Sequence, residues 1–212
     1  MFNEIQNLKN MKTLTKLLLA IACICLLSAC SKSDILNDDN SSDNDLKCAK
    51  IQPKMITLPF FVHYLGNYVS TEPDARCGDP PYYRIINEGP GNGTFVGKSF
   101  IHFDFCFNMA DPVSWPYGND QPKDAQGKYF MYIVAANGDS LYINLAGHVI
   151  PGRLPDMPSY VIDYFKDPFE ILGGTGRFKG ATGHGMTDDY DSSLDPRTYH
   201  HWVGIITMLK GK

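Results

Sequence analysis

The chain is short of positive charge: 19 lysines and arginines face 23 aspartates and glutamates, a formal net charge of −4. That balance argues against nucleic acid as a partner, because neutralising phosphates takes clustered bases. Long apolar runs are missing too. The longest, residues 17–27, is about 11 residues, against the roughly 20 that a membrane-spanning helix needs. No convincing amphipathic helix follows residue 51. No short spacing links the six histidines into a ligand set, and no Gly-Lys-Ser/Thr offers a phosphate loop. No metal and no organic cofactor is therefore expected.

The short apolar run has a meaning of its own. Lys12 and Lys16 precede it, and Leu27-Ser28-Ala29 places small residues just ahead of Cys30, the layout of a secretory signal. The segment resembles the lipobox of bacterial lipoproteins, in which the cysteine sulfur receives a diacylglycerol and becomes the new N-terminus. That resemblance implies a signal over 1–29, with translation starting at Met1 or Met11, and a mature chain over 30–212. It also implies residence in the bacterial cell envelope, anchored to the outer membrane through the lipid on Cys30. Loss of Lys9, Lys12, Lys16 and Glu4 leaves 16 bases against 22 acids, so the lipid and not surface charge would do the anchoring. Residues 31–45 are polar and acidic with almost nothing apolar to bury. Residues 30–50 thus read as a flexible tether, either a plain spacer or, by resemblance, a surface-export signal.

Of the six cysteines, Cys23 and Cys25 depart with the signal and Cys30 carries lipid. Cys48, Cys77 and Cys106 remain in an oxidising compartment, where thiols pair. Cys77–Cys106 is the expected bridge, because both lie within the folded region, and Cys48–Cys77 is the alternative. Closing such a loop contributes roughly 3–4 kcal/mol when unstrained. No obvious base stands near in sequence to activate a catalytic thiol.

From about residue 51 to 212 the chain is rich in glycine, proline and aromatics, with short β-branched and aromatic runs between turn signals. Eight strands are expected, over 56–68, 82–87, 94–108, 128–135, 140–148, 160–172, 181–191 and 200–209. Asn92-Gly93 and Asn137-Gly138 are both tight-turn dipeptides, and 111–123 reads as a long exposed loop. In 94–108, Phe95, Gly97, Ser99, Ile101, Phe103, Phe105 and Phe107 share the core face. Thr94, Val96, Lys98, Phe100, His102, Asp104 and Cys106 share a mixed face. The fold class expected is all-β, an eight-stranded antiparallel closed barrel with room for one small ligand. A two-sheet sandwich is the alternative.

The segment 173–185, GGTGRFKGATGHG, lacks the Gly-x-Gly-x-x-Gly spacing of dinucleotide folds, and its glycines break the helix that such folds require. Gly173, Gly174, Thr175, Gly176, Phe178, Ala181 and Gly183 instead match a signature of the allene oxide cyclase and dirigent barrels, which the chain resembles from about 53 to 209. The Asn137-Gly138-Asp139 turn, the segment 91–97 and Trp202-x-Gly204 support the resemblance. It implies an eight-stranded barrel with a cavity at one end and no cofactor. The glycine motif, Gly180 included, would then be structural, with Phe178 plugging the barrel. It does not imply one activity, since such barrels include cyclases and proteins that only steer radical coupling.

Residues with chemistry are few. His102 and Asp104 lie two apart on one strand face, so the carboxylate can orient the imidazole, and together they are the candidate catalytic pair if they face the cavity. His200 and His201 are adjacent in a strand and point to opposite faces. Asp188, Asp189 and Asp191 form an acidic cluster at a strand end. Tyr129, Tyr132, Tyr142, Tyr160 and Tyr164 form either an aromatic wall for a ligand or plain packing. The reading is an envelope lipoprotein whose barrel binds a small apolar ligand or serves as a docking module. A cofactor-independent cyclase or isomerase is the alternative, and oligomeric state is left open.

Overall fold

The computed structural model describes residues 54–211. The signal 1–29, Cys30, the tether 30–50 and Cys48 lie outside the described residues. Alternating apolar and polar residues build β1 (Met55–Glu72), β2 (Tyr82–Gly93), β3 (Gly97–Asn108), β4 (Met131–Val134), β5 (Ser140–Leu145), β6 (Ile150–Pro151), β7 (Val161–Phe165), β8 (Pro168–Gly174), β9 (Thr182–Thr187), β10 (Asp189–Ser192) and β11 (Asp195–Leu209). Pairing runs β1-β2-β3-β4-β5-β8-β9-β11 and returns from β11 to β1. Eight antiparallel strands thus close into a barrel without a free edge, as expected, and not into a sandwich. β10, β7 and β6 extend the sheet from β11 at one end.

The expected strands 160–172 and 181–191 are each broken in two. The breaks sit opposite each other, where Thr187 N–H donates to the Asp167 carbonyl (2.9 Å) and Asp167 N–H donates to Thr187 Oγ1 (2.9 Å). The break turns the Asp167 side chain toward Tyr117, whose hydroxyl donates to it. Asn92-Gly93 is not a turn: both residues belong to β2, and the chain reverses over 94–96. The reason is close approach, because a Cβ on Gly93 would lie 2.4 Å from Val62 Cγ1 and 2.5 Å from the Phe61 carbonyl. Thr94 and Val96 therefore leave the strand, and Val96 is buried instead of lying on the mixed face. From Ser99 onward the expected alternation holds.

Asn137-Gly138 does form the β4–β5 hairpin, with Gly138 N–H donating to the Ala135 carbonyl (2.9 Å). The stretch after β8 bends β structure back on itself through one 3-10 turn, Gly176–Phe178, and β9 follows antiparallel. Gly176 is required there: φ is +47°, and a Cβ would lie 1.9 Å from Asp139 Oδ1. Phe178 is fully buried against the core at that closed end. The middle layer is aromatic, with Trp202 stacked on Phe169 (centroids 5.1 Å) and tilted against Phe103 (5.4 Å). Each such ring contributes roughly 1.5–3 kcal/mol by leaving water. Cys77 and Cys106 are disulfide-bonded, with Cα atoms 5.3 Å apart.

The loop between β3 and β4 is longer than expected, because 128–130 join it instead of β4. Asp124 N–H donates to the Lys128 carbonyl and Phe130 N–H to the Pro122 carbonyl, folding the loop on itself. It is also not wholly exposed. Tyr117 exchanges backbone hydrogen bonds with Gly147, and Gly118 with Cys106.

Candidate functional site

β3 runs from the closed end, at the 94–96 turn, to the open end. Its inward side chains change character on the way: Ile101 and Phe103 are buried, while Phe105 and Phe107 border empty space. The hollow measures about 390 Å³ and is walled by Ile85, Phe103, Phe105, Phe107, Met131, Leu145, Val149 and Phe165. That is within the range of small-molecule sites. Met109, Pro112, Val113 and Tyr117 of the long loop complete the wall. The loop that the sequence marks as exposed therefore forms part of a pocket wall.

One side of this apolar pocket is polar, and it has two parts. The first is fully bonded. Asp189 Oδ2 accepts from His200 Nδ1 (2.8 Å) and Trp202 Nε1 (3.1 Å), and Asp189 Oδ1 accepts from His201 N–H (2.8 Å). His200 Nε2 lies 3.3 Å from Asn87 Oδ1, and Asn87 Nδ2 donates to Thr198 Oγ1 (3.2 Å). This network fixes the imidazole against Phe103 (centroids 5.2 Å). The second part is under-bonded. Asp163 and Asp191 are register partners on β7 and β10, and both line the pocket. Asp191 Oδ2 accepts from the Tyr68 hydroxyl (3.3 Å), while its buried Oδ1 has no partner.

Burial pushes the Asp191 carboxyl above its ordinary range, with the Asp163 carboxylate adding to the rise, and burial raises Asp163 as well. A carboxyl whose pKa is higher folded than unfolded ionises more readily in the unfolded chain. Stability therefore falls as pH climbs through and above the ordinary carboxylate range. Asp191→Asn is expected to melt like the wild type in acid and at a higher temperature at neutral pH. Thermal melts from about pH 3 to about pH 8 check this. A neutral-pH melting point below that of the wild type contradicts it.

His102 and Asp104 are on one strand face as expected, but that face is the outer one, and neither lines the interior cavity. Nor do they pair. His102 Nδ1 meets Glu88 Oε1 and its ring stacks on Tyr132 (4.6 Å). Asp104 is held by Arg76 Nη2 on Oδ1 (2.5 Å) and by Arg84 Nη2 on Oδ2 (2.8 Å). Burial alone would raise its carboxyl, but the two guanidiniums outweigh that and hold it below the usual range. Arg84 reaches Asp104 from the paired strand β2, and Arg76 reaches it because segment 73–81, tied down by the disulfide, folds over this face.

The tyrosines named from sequence do not wall the pocket. Tyr129 stacks on Tyr142 outside (4.0 Å), and buried Tyr164 donates to Asp188. The wall is phenylalanine, with Tyr68 and Tyr117 in place of those tyrosines. His200 points inward and His201 outward, where it meets His63 edge-on (4.0 Å). The acidic cluster separates likewise: Asp189 and Asp191 line the pocket and Asp188 does not. Alternation along β11 puts His200 and Trp202 on one face and so was readable. Their shared partner Asp189 lies across a strand pair, and no spacing in the chain announces it.

No family model matches the chain, and no curated protein matches it either. Among solved structures, the pterocarpan synthase dirigent protein GePTS1 is similar, at 13% identity and a TM-score of 0.45. The match covers 81% of this chain and 98% of that one. The closed eight-stranded barrel itself rests on the strand order and register given above, not on this likeness.

Proposed function

We propose that this protein is a bacterial envelope lipoprotein, held at the outer membrane by the lipid on Cys30, whose barrel binds one small, mostly apolar molecule. The observation that carries the reading is the pocket itself: about 390 Å³ of phenylalanine-lined space with two desolvated carboxyls on one wall. Its apolar area favours a hydrophobic ligand. The unpartnered Asp191 Oδ1 favours a ligand bearing a hydroxyl at one end.

A neutral naphthylamine dye whose emission rises in apolar surroundings tests this. The full-length protein in detergent is expected to bind it saturably. Leu145→Trp, which fills the pocket from β5, is expected to weaken binding by at least about tenfold. Equal binding by both proteins, with Leu145→Trp folded, contradicts the reading. A second reading, a cofactor-independent cyclase or isomerase, draws support from the same Asp191, since a carboxyl raised above its ordinary range by burial beside an apolar pocket suits proton transfer.

A further inference from the structure

A second hollow lies on the outside of the barrel. It is bounded by the outer face of β2 and β3, by segment 73–82 and by residues 115–130, and measures about 970 Å³. The Cys77–Cys106 bridge forms part of its wall. β3 stands between it and the interior pocket, and Phe107 near the end of that strand borders both.

Its chemistry is unlike that of the interior. Aspartates and lysines or arginines along its wall are equal in number: Asp104 lies between Arg76 and Arg84, Asp74 sits 3.9 Å from Arg84, Asp120 and Asp124 are offset by Lys123 and Lys128, and His102 at the edge is taken up by Glu88. Neutral amides stand among them. Asn119 Nδ2 donates to the Asp104 carbonyl (2.7 Å), while Asn119 Oδ1 is buried without a partner. Beside these groups is an aromatic surface. Trp115 meets Tyr82 edge-on (5.5 Å) and is 46% exposed, a large apolar area for water to cover.

We infer that this outer hollow is a binding site for a neutral oligosaccharide. A pyranose has a C–H face that packs on an indole and a rim of hydroxyls that both donate and accept. Such a rim suits acids, bases and amides mixed at zero net charge. A phosphorylated ligand finds no excess of bases here, and a purely apolar one leaves the polar wall unpaired. The orphaned Asn119 oxygen is an acceptor that a sugar hydroxyl satisfies.

The chain carries its own reporter, because its two tryptophans are Trp115 at this hollow and Trp202 in the core, 1% exposed. Full-length protein in detergent is titrated with short oligosaccharides from α-glucan, β-glucan, mannan, xylan and chitin, and with an oligogalacturonate as the acidic counterpart. Binding is followed by calorimetry and by acrylamide quenching. At least one neutral oligosaccharide is expected to give saturable heat and to shield Trp115. Its affinity is expected to fall at least about tenfold in Trp115→Ala and in Asn119→Ala, and to be unchanged in Leu145→Trp by calorimetry. The inference is overturned by no heat and no shielding from any neutral oligosaccharide, by binding that survives both substitutions in folded variants, or by tighter binding of the oligogalacturonate.

Discussion

Asp189→Ala is expected to cost the barrel about 3–5 kcal/mol, most of the margin of an ordinary domain. Three donors converge on this carboxylate: His200 Nδ1, Trp202 Nε1 and the backbone N–H of His201. Asp189, His200 and Trp202 are all buried. Alanine strands those donors away from water, and each unmet donor costs roughly 1–3 kcal/mol. Asp189→Asn keeps one acceptor but turns an NH2 toward a donor, so an intermediate loss is expected. Urea unfolding followed by tryptophan emission measures both. A loss below about 1 kcal/mol in the alanine variant would mean that water replaces the carboxylate, and that the pocket floor is wetter than described.

Cys30→Ser is expected to have an all-or-none effect. If the chain is anchored through this sulfur, serine cannot accept the diacylglycerol, and several acyl chains at about 0.8 kcal/mol per buried methylene are lost together. Cells fed an alkynyl fatty acid should label the wild-type protein and leave Cys30→Ser unlabelled, with the variant no longer sedimenting as a mature membrane protein. Label retained by the serine variant removes the lipoprotein reading. It leaves the barrel and its pockets untouched.

The barrel was legible because its information is local. Strand alternation in 99–107, the Asn137-Gly138 hairpin and the helix-breaking run 173–185 each restrict the backbone within a few residues. Local signals also misled where glycine served contact instead of turning: Gly93 looks like half of a hairpin and is in fact pressed against β1. The site was harder. His102 and Asp104 carry the right types at the right spacing, yet Arg84 on the paired strand β2 and Arg76, carried over by segment 73–81, take the carboxylate. The histidine–aspartate pair that the fold does bury, His200 with Asp189, is joined across β10 and β11. Asp163 and Asp191 likewise meet only through strand register. Such pairs become visible once topology is known, since what matters is who faces whom across a sheet.

The central claim is that the interior hollow holds a small molecule, and the most direct measurement is the intact mass of the protein released from its own membrane under non-denaturing conditions. The predicted result is a species heavier by one small ligand, with the extra mass lost on unfolding and absent from Leu145→Trp. Ligand-free protein in both cases, together with a naphthylamine dye that fails to distinguish them, contradicts the claim.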